Sequence, residues 1–171
     1  MPEHGEFVDF VELQSGSLLR AAWVLTSGDW GMAEDLVQTT LGVVWSRWDR
    51  VAQMEAPEAY TRKVMTYICL RWRRRRWTGE ITTAVLPEVR DAVGEFDRVD
   101  LRETLRKALT DLTPKQRAVI MLRYFEDRSE AEAARILDCS PGTVKSQAAK
   151  AMVKLRRVPG LADVLIGSKT S

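Results

Sequence analysis

Apolar positions recur along this chain at helical rather than strand spacing. Leu36, Val37, Thr40, Leu41, Val44, Trp45 and Trp48 fall on one stripe by i, i+4, i+7 and i+8 steps. Ser27-Gly28-Asp29 precedes that stripe, and the short carboxylate of Asp29 suits an N-cap. A further helix opens at Pro57, which has no N–H to lose in a first turn, and runs through Tyr60, Val64, Tyr67 and Ile68 toward Arg76. Gly79 breaks the pattern. Residues 79–99, with Gly79, Pro87 and Gly94, show weak periodicity and predict a linker or short connecting helices.

Helical spacing resumes near Val99 and continues to about Asp111. Thr113-Pro114-Lys115-Gln116 predicts a capping box with proline in the first turn. Ser129 and Glu132 predict another, opening a helix that reaches Asp138, and Ser140-Pro141 starts one more, to about Arg157. The expected fold is all-α: two small helical domains joined by a flexible linker. Their bounds are 1–78, an acidic linker 79–99, 100–158, and a tail 159–171.

Composition narrows the chemistry. The longest apolar runs, Ala21–Leu25 and Ala118–Leu122, are too short to cross a bilayer, so no membrane insertion is expected. The acidic stretch Met1–Phe10 lacks the layout of a secretory signal. Cys69 and Cys139, far apart and outside any CxxC pattern, suggest neither a disulfide framework nor zinc. His4 is the one histidine. Neither a metal nor a cofactor is expected, and the absence of a nucleophile–base pair or phosphate loop argues against an enzyme.

The net charge of +2 conceals segregation. Residues 1–61 sum to −7, 62–78 to +7, 79–112 to −3 and 113–171 to +5. Blocks of alternating sign suggest separate surfaces, two of them suited to polyanions. The last two helices are separated by a very short turn, and the second is basic, which makes them a helix-turn-helix candidate. Ala133, Ala134, Ile136 and Leu137 give the first an apolar face. Val144, Ala148, Met152 and Leu155 should face inward in the second, leaving Lys145, Ser146, Ala149 and Lys150 outward, with Thr143 in the first turn where a phosphate can be held.

The segments Leu112–Ile120, Arg123-Tyr124-Phe125 and Cys139–Ser146 closely resemble the −35-binding domain of sigma-70-type factors. Ala33-Glu34-Asp35-Leu36-Val37-Gln38 is similar to the core-polymerase-binding helix of the extracytoplasmic-function (ECF) group. Ala59–Val64 followed by Leu70–Trp77 is similar to the −10-binding region of its actinobacterial, sigma-E-like branch. The resemblance implies core polymerase contacts at Glu34, Asp35 and Gln38, the first partners being the β′ clamp and the β subunit. It implies −10 DNA contacts at Arg62, Lys63, Tyr67, Arg71, Arg73, Arg74, Arg75 and Arg76, where arginines interleaved with Trp72 and Trp77 combine phosphate neutralisation with stacking. It implies −35 contacts at Thr143, Lys145, Ser146, Gln147, Ala149 and Lys150.

In the family a loop before the −10 helix, about Asp49–Ala56 here, captures a flipped base. The family usually has asparagine at the position of Tyr67. The implied function is a cytoplasmic initiation subunit that directs RNA polymerase to promoters and promotes −10 melting. It would be monomeric on polymerase and open to an anti-sigma partner. Two other readings fit parts of the chain. A stand-alone operator-binding regulator would use only the C-terminal helix pair, and an arginine-rich RNA-binding protein would use only the basic helix.

Overall fold

The computed structural model describes residues 4–76 and 99–161. The chain divides into two compact units, residues 1–93 and 94–171. The expected linker 79–99 lies outside the described residues except for Val99, as does the tail from residue 162 onward. Among the described residues every regular element is helical.

The N-terminal unit holds α1 (His4–Leu25), α2 (Trp30–Trp45), α3 (Trp48–Val51) and α4 (Pro57–Arg76). Asp29 caps α2 as its sequence predicts, accepting the Met32 N–H at 3.0 Å. The turn before it places Ser27 at φ 56° and Gly28 at φ 78°, a left-handed bend that glycine takes without strain. Leu18, Leu19, Ala22 and Val24 of α1 are buried with Ala33, Leu36 and Val44 of α2 and with Met65 and Cys69 of α4. At one end of this core, Val44, Trp48 and Val51 gather Phe7, Phe10, Trp45, Met54 and Tyr60. Phe7 stands edge-on to Trp48, ring centroids 5.1 Å apart, a favoured aromatic geometry. Of the stripe ending at Trp48, Leu36, Thr40, Val44 and Trp48 are buried and Val37, Leu41 and Trp45 half-buried, but helix α2 stops at Trp45 and Trp48 begins the single turn of α3. That turn also takes up Asp49–Val51, so less of the expected Asp49–Ala56 loop remains as loop.

The C-terminal unit holds α5 (Val99–Thr110), α6 (Pro114–Ile120), α7 (Glu130–Leu137) and α8 (Pro141–Leu155). Both predicted capping boxes form. Thr113 Oγ1 accepts the Gln116 N–H at 3.2 Å while Gln116 Oε1 accepts the Thr113 N–H at 3.1 Å. Ser129 and Glu132 repeat the arrangement at 3.1 and 2.8 Å. The bonds from Ser129 hold the Glu132 carboxyl below its ordinary range. Helix α6 does not simply end. Met121–Phe125 widens into a π turn, closed by the Glu126 N–H on the Met121 carbonyl at 3.0 Å. Leu161, assigned to the tail by sequence, is 2% exposed and belongs to this unit's core.

Arg117 is buried in this core, 1% exposed. Its Nη1 donates to the carbonyls of Leu109 and Leu112 at 3.0 and 2.9 Å, capping the end of α5 from within α6. Burying a guanidinium is tolerable only with such partners. Arg117→Ala would leave both carbonyls without that donor and open a cavity, at a cost of about 3 kcal/mol. All six tryptophans lie at or before Trp77, so tryptophan fluorescence reports the N-terminal unit alone. In urea, Arg117→Ala should lower the midpoint seen by far-ultraviolet circular dichroism and leave the tryptophan transition in place.

Candidate nucleic-acid and polymerase interfaces

Helix α4 sorts its residues by face. Thr61, Arg62, Met65, Thr66 and Cys69 are buried, whereas Lys63, Tyr67 and Arg71, four apart, are exposed. Arg62 is therefore a correction to the expected −10 set. It is 2% exposed, and its Nη2 donates to Ser17 Oγ of α1, so it joins two helices. One residue on, a rotation of about 100° carries Lys63 to the surface. Tyr67 is 61% exposed, and the Arg71 guanidinium lies over its ring, 5.6 Å from the centroid. Arg73, Arg74, Arg75 and Arg76 continue the helix, but their side chains lie outside the described residues.

On α2, Gln38 and Thr39 are exposed and Asp35 is half-exposed. Glu34 is the second correction: it is 8% exposed and is not displayed beside Asp35 and Gln38. A neighbouring residue lies about 100° around a helix, so a run of acids cannot all share one face. Partial burial, with repulsion from the Asp29 carboxylate, raises Asp35 above the ordinary carboxylate range. For a raised carboxyl the stabilising contribution is present at low pH and is lost as pH rises through that interval. Asp35 is thus a charge the fold itself does not favour.

The helix-turn-helix runs from α7 through Asp138, Cys139 and Ser140 into α8. Asp138 adopts φ 54°, a left-handed cap that aspartate tolerates, and the Cys139 N–H donates to the Ala134 carbonyl at 3.0 Å. Ser140 caps α8, accepting the Thr143 N–H at 3.1 Å, and its hydroxyl lies 2.9 Å from Thr143 Oγ1. The Thr143 N–H is thereby spent inside the turn. Val144, Ala151, Met152 and Leu155 are buried, while Lys145, Ser146, Ala149 and Lys150 are exposed and Gln147 is half-buried.

Sequence reasoning missed Lys154. Its Nζ donates to the Asp111 carbonyl and to Gln116 Oε1, each at 3.0 Å, tying α8 to the corner between α5 and α6. Its position four residues after Lys150 reads as a continuation of the basic edge; only the acceptors across the fold show otherwise.

A capped, basic second helix seated on a short first helix is the arrangement of the DNA-reading helix-turn-helix proteins. The family described as "Sigma-70, region 4" matches residues 102–155, from α5 to the end of α8. The RNA polymerase sigma-E factor of Streptomyces avermitilis is 38% identical over 156 residues, covering 90% of this chain and 86% of that protein. The ECF RNA polymerase sigma factor SigG of Mycobacterium tuberculosis is 30% identical over 189 aligned positions, covering 94% of this chain and 51% of that protein. Among solved structures, the sigma factor RpoE in complex with the anti-sigma factor NepR from Bartonella quintana is similar with a TM-score of 0.69. That match has 27% identity and covers 90% of this chain and 96% of that one.

The chain belongs to the ECF RNA polymerase sigma factors of the sigma-70 family, on the sigma-E-like branch. It is an initiation subunit: it binds core RNA polymerase, directs it to promoters through −35 and −10 recognition and promotes −10 melting. Its relatives are sigma factors, which are not enzymes. No helix among the described residues is long and apolar enough to cross a membrane.

The split within α4 yields a direct test. Arg62→Ala should destabilise the N-terminal unit by about 2–4 kcal/mol, since it removes a buried, hydrogen-bonded group. Lys63→Ala should stay within about 0.5 kcal/mol of wild type in the same tryptophan-monitored unfolding.

Proposed function

We propose that α2 meets the β′ clamp of core polymerase through Asp35 and Gln38, without Glu34. The proposal rests on the pairing of an exposed amide with a carboxylate that its own unit makes costly to ionise. An opposite charge on a partner would relieve that cost. The −10 strand is assigned to the outer edge of α4, Lys63, Tyr67 and Arg71, and to the arginine run Arg73–Arg76 at the end of that helix. The edge is basic, carries an aromatic ring, and lies in a stretch of seven bases without an acid.

The −35 element is assigned to the exposed side of α8, with Lys145, Ser146, Ala149 and Lys150 in reach of base edges and phosphates. Thr143 and Gln147 flank this edge. The organisation proposed is a polymerase and −10 domain over 1–78, a tether over 79–99 and a −35 domain over 100–158. Fully extended, the tether reaches at most about 70 Å, roughly two turns of DNA. Further proposed partners are the β subunit and an anti-sigma protein, the latter by analogy with NepR on RpoE. The protein is proposed to act in the cytoplasm as a monomer on polymerase.

Asp35→Arg is the test of the polymerase contact. On a half-exposed site it should shift unfolding by no more than about 1 kcal/mol. Against a basic clamp it replaces attraction by repulsion, so affinity for core polymerase should fall at least about tenfold. Normal affinity in a variant that melts normally would refute the placement. For −35 recognition, Lys145→Ala with Lys150→Ala should weaken holoenzyme binding to duplex −35 DNA by about 1–3 kcal/mol, measured across a salt series.

A further inference from the structure

The exposed side of α8 has an unusual crest for a basic helix. Ser146, Ala149 and Val153 follow i, i+3, i+7 spacing and line a single edge. All three are exposed, and Val153 keeps 55% of its surface open. The cations stand to either side: Lys145 on one flank and Lys150 on the other, both exposed. Lys154 would extend the second flank, but its ammonium is held 3.0 Å from the Asp111 carbonyl and from Gln116 Oε1, away from the crest. A helix face built only for solvation would carry its charges on the crest. This one carries a hydroxyl, a methyl and an isopropyl group there.

We propose that the Ala149–Val153 ridge reads thymine C5-methyl groups in the major groove of the −35 element, a reading that rests on the assignment of α8 to that element. In the major groove the thymine methyl is the apolar feature that separates A·T and T·A from G·C and C·G, and small apolar side chains recognise it by contact. The flanking lysines suit the two walls of phosphate and the guanine edges beside such a step. The rise from Ser146 to Val153 is about 10 Å, the length of roughly three base-pair steps. The ridge therefore spans a short run containing thymines and does not read a single position.

Deoxyuridine differs from thymidine only by the missing methyl and gives a clean probe. Core polymerase reconstituted with the full chain first selects duplexes from a library randomised across the −35 element. Each thymine of the selected element is then replaced by deoxyuridine, and holoenzyme affinity is compared. Loss of one contacted methyl should weaken wild type about three- to fivefold. Val153→Ser, at an exposed site, should melt like wild type and bind thymine and deoxyuridine alike at the position it covers. Lys145→Ala should weaken both duplexes while keeping the thymine preference.

If wild type binds both duplexes equally while Lys145→Ala still loses affinity, the ridge does not read methyls although α8 still reads the −35 element. If neither deoxyuridine nor Lys145→Ala alters binding, the assignment of α8 falls, and the ridge with it. If Val153→Ser leaves the thymine preference intact but weakens association with core polymerase, the ridge is a protein contact and the inference is overturned.

Discussion

Among the described residues, each unit of this protein buries one guanidinium. Arg62 reaches from α4 to Ser17 of α1, and Arg117 reaches from α6 to the carbonyls of Leu109, at the end of α5, and Leu112, just beyond it. Taking an arginine out of water is costly, and hydrogen bonds in fixed directions are what make it tolerable. Apolar packing alone lets short helices slide and rotate with modest penalty. A guanidinium with acceptors on a second helix does not, because a rotation that breaks its bonds leaves the charge stranded. Inside an apolar core, such a contact helps fix which side of each helix remains outside.

The functional surfaces follow from that constraint. With Arg62 and Met65 inward, Lys63, Tyr67 and Arg71 must face outward. With Arg117 and the buried Gln116 holding the corner between α5 and α6, Lys154 finds acceptors there and pins the far end of α8. The outer side of α8, from Lys145 to Val153, is left exposed. Among the described residues, Arg62, Arg117 and Lys154 are consumed in joining helices, while Lys63, Arg71, Lys145 and Lys150 stay exposed.

The sequence carried the helix boundaries well, because capping is local chemistry. Asp29, Thr113, Ser129 and Ser140 each accept an N–H three residues away, so short words in the sequence report them directly. The apolar stripe of α2 was legible for the same reason. The fate of individual charges was not. Glu34 and Asp35, or Arg62 and Lys63, are chemically alike neighbours, and only the position of another helix decides which is covered. The acceptors that claim Lys154 are 38 and 43 residues away in the chain, beyond any local pattern. The π turn at Met121–Phe125 was equally silent: one extra residue in a turn leaves no compositional trace.

The central claim is that one chain couples polymerase binding to two-element promoter recognition. Run-off transcription with purified core polymerase, this protein and fragmented genomic DNA tests it most directly. Discrete transcripts should arise only when the protein is added, and their start sites should share two upstream elements, near −35 and −10. If the protein binds promoter fragments by itself and core polymerase gains no new start sites in its presence, the account is contradicted.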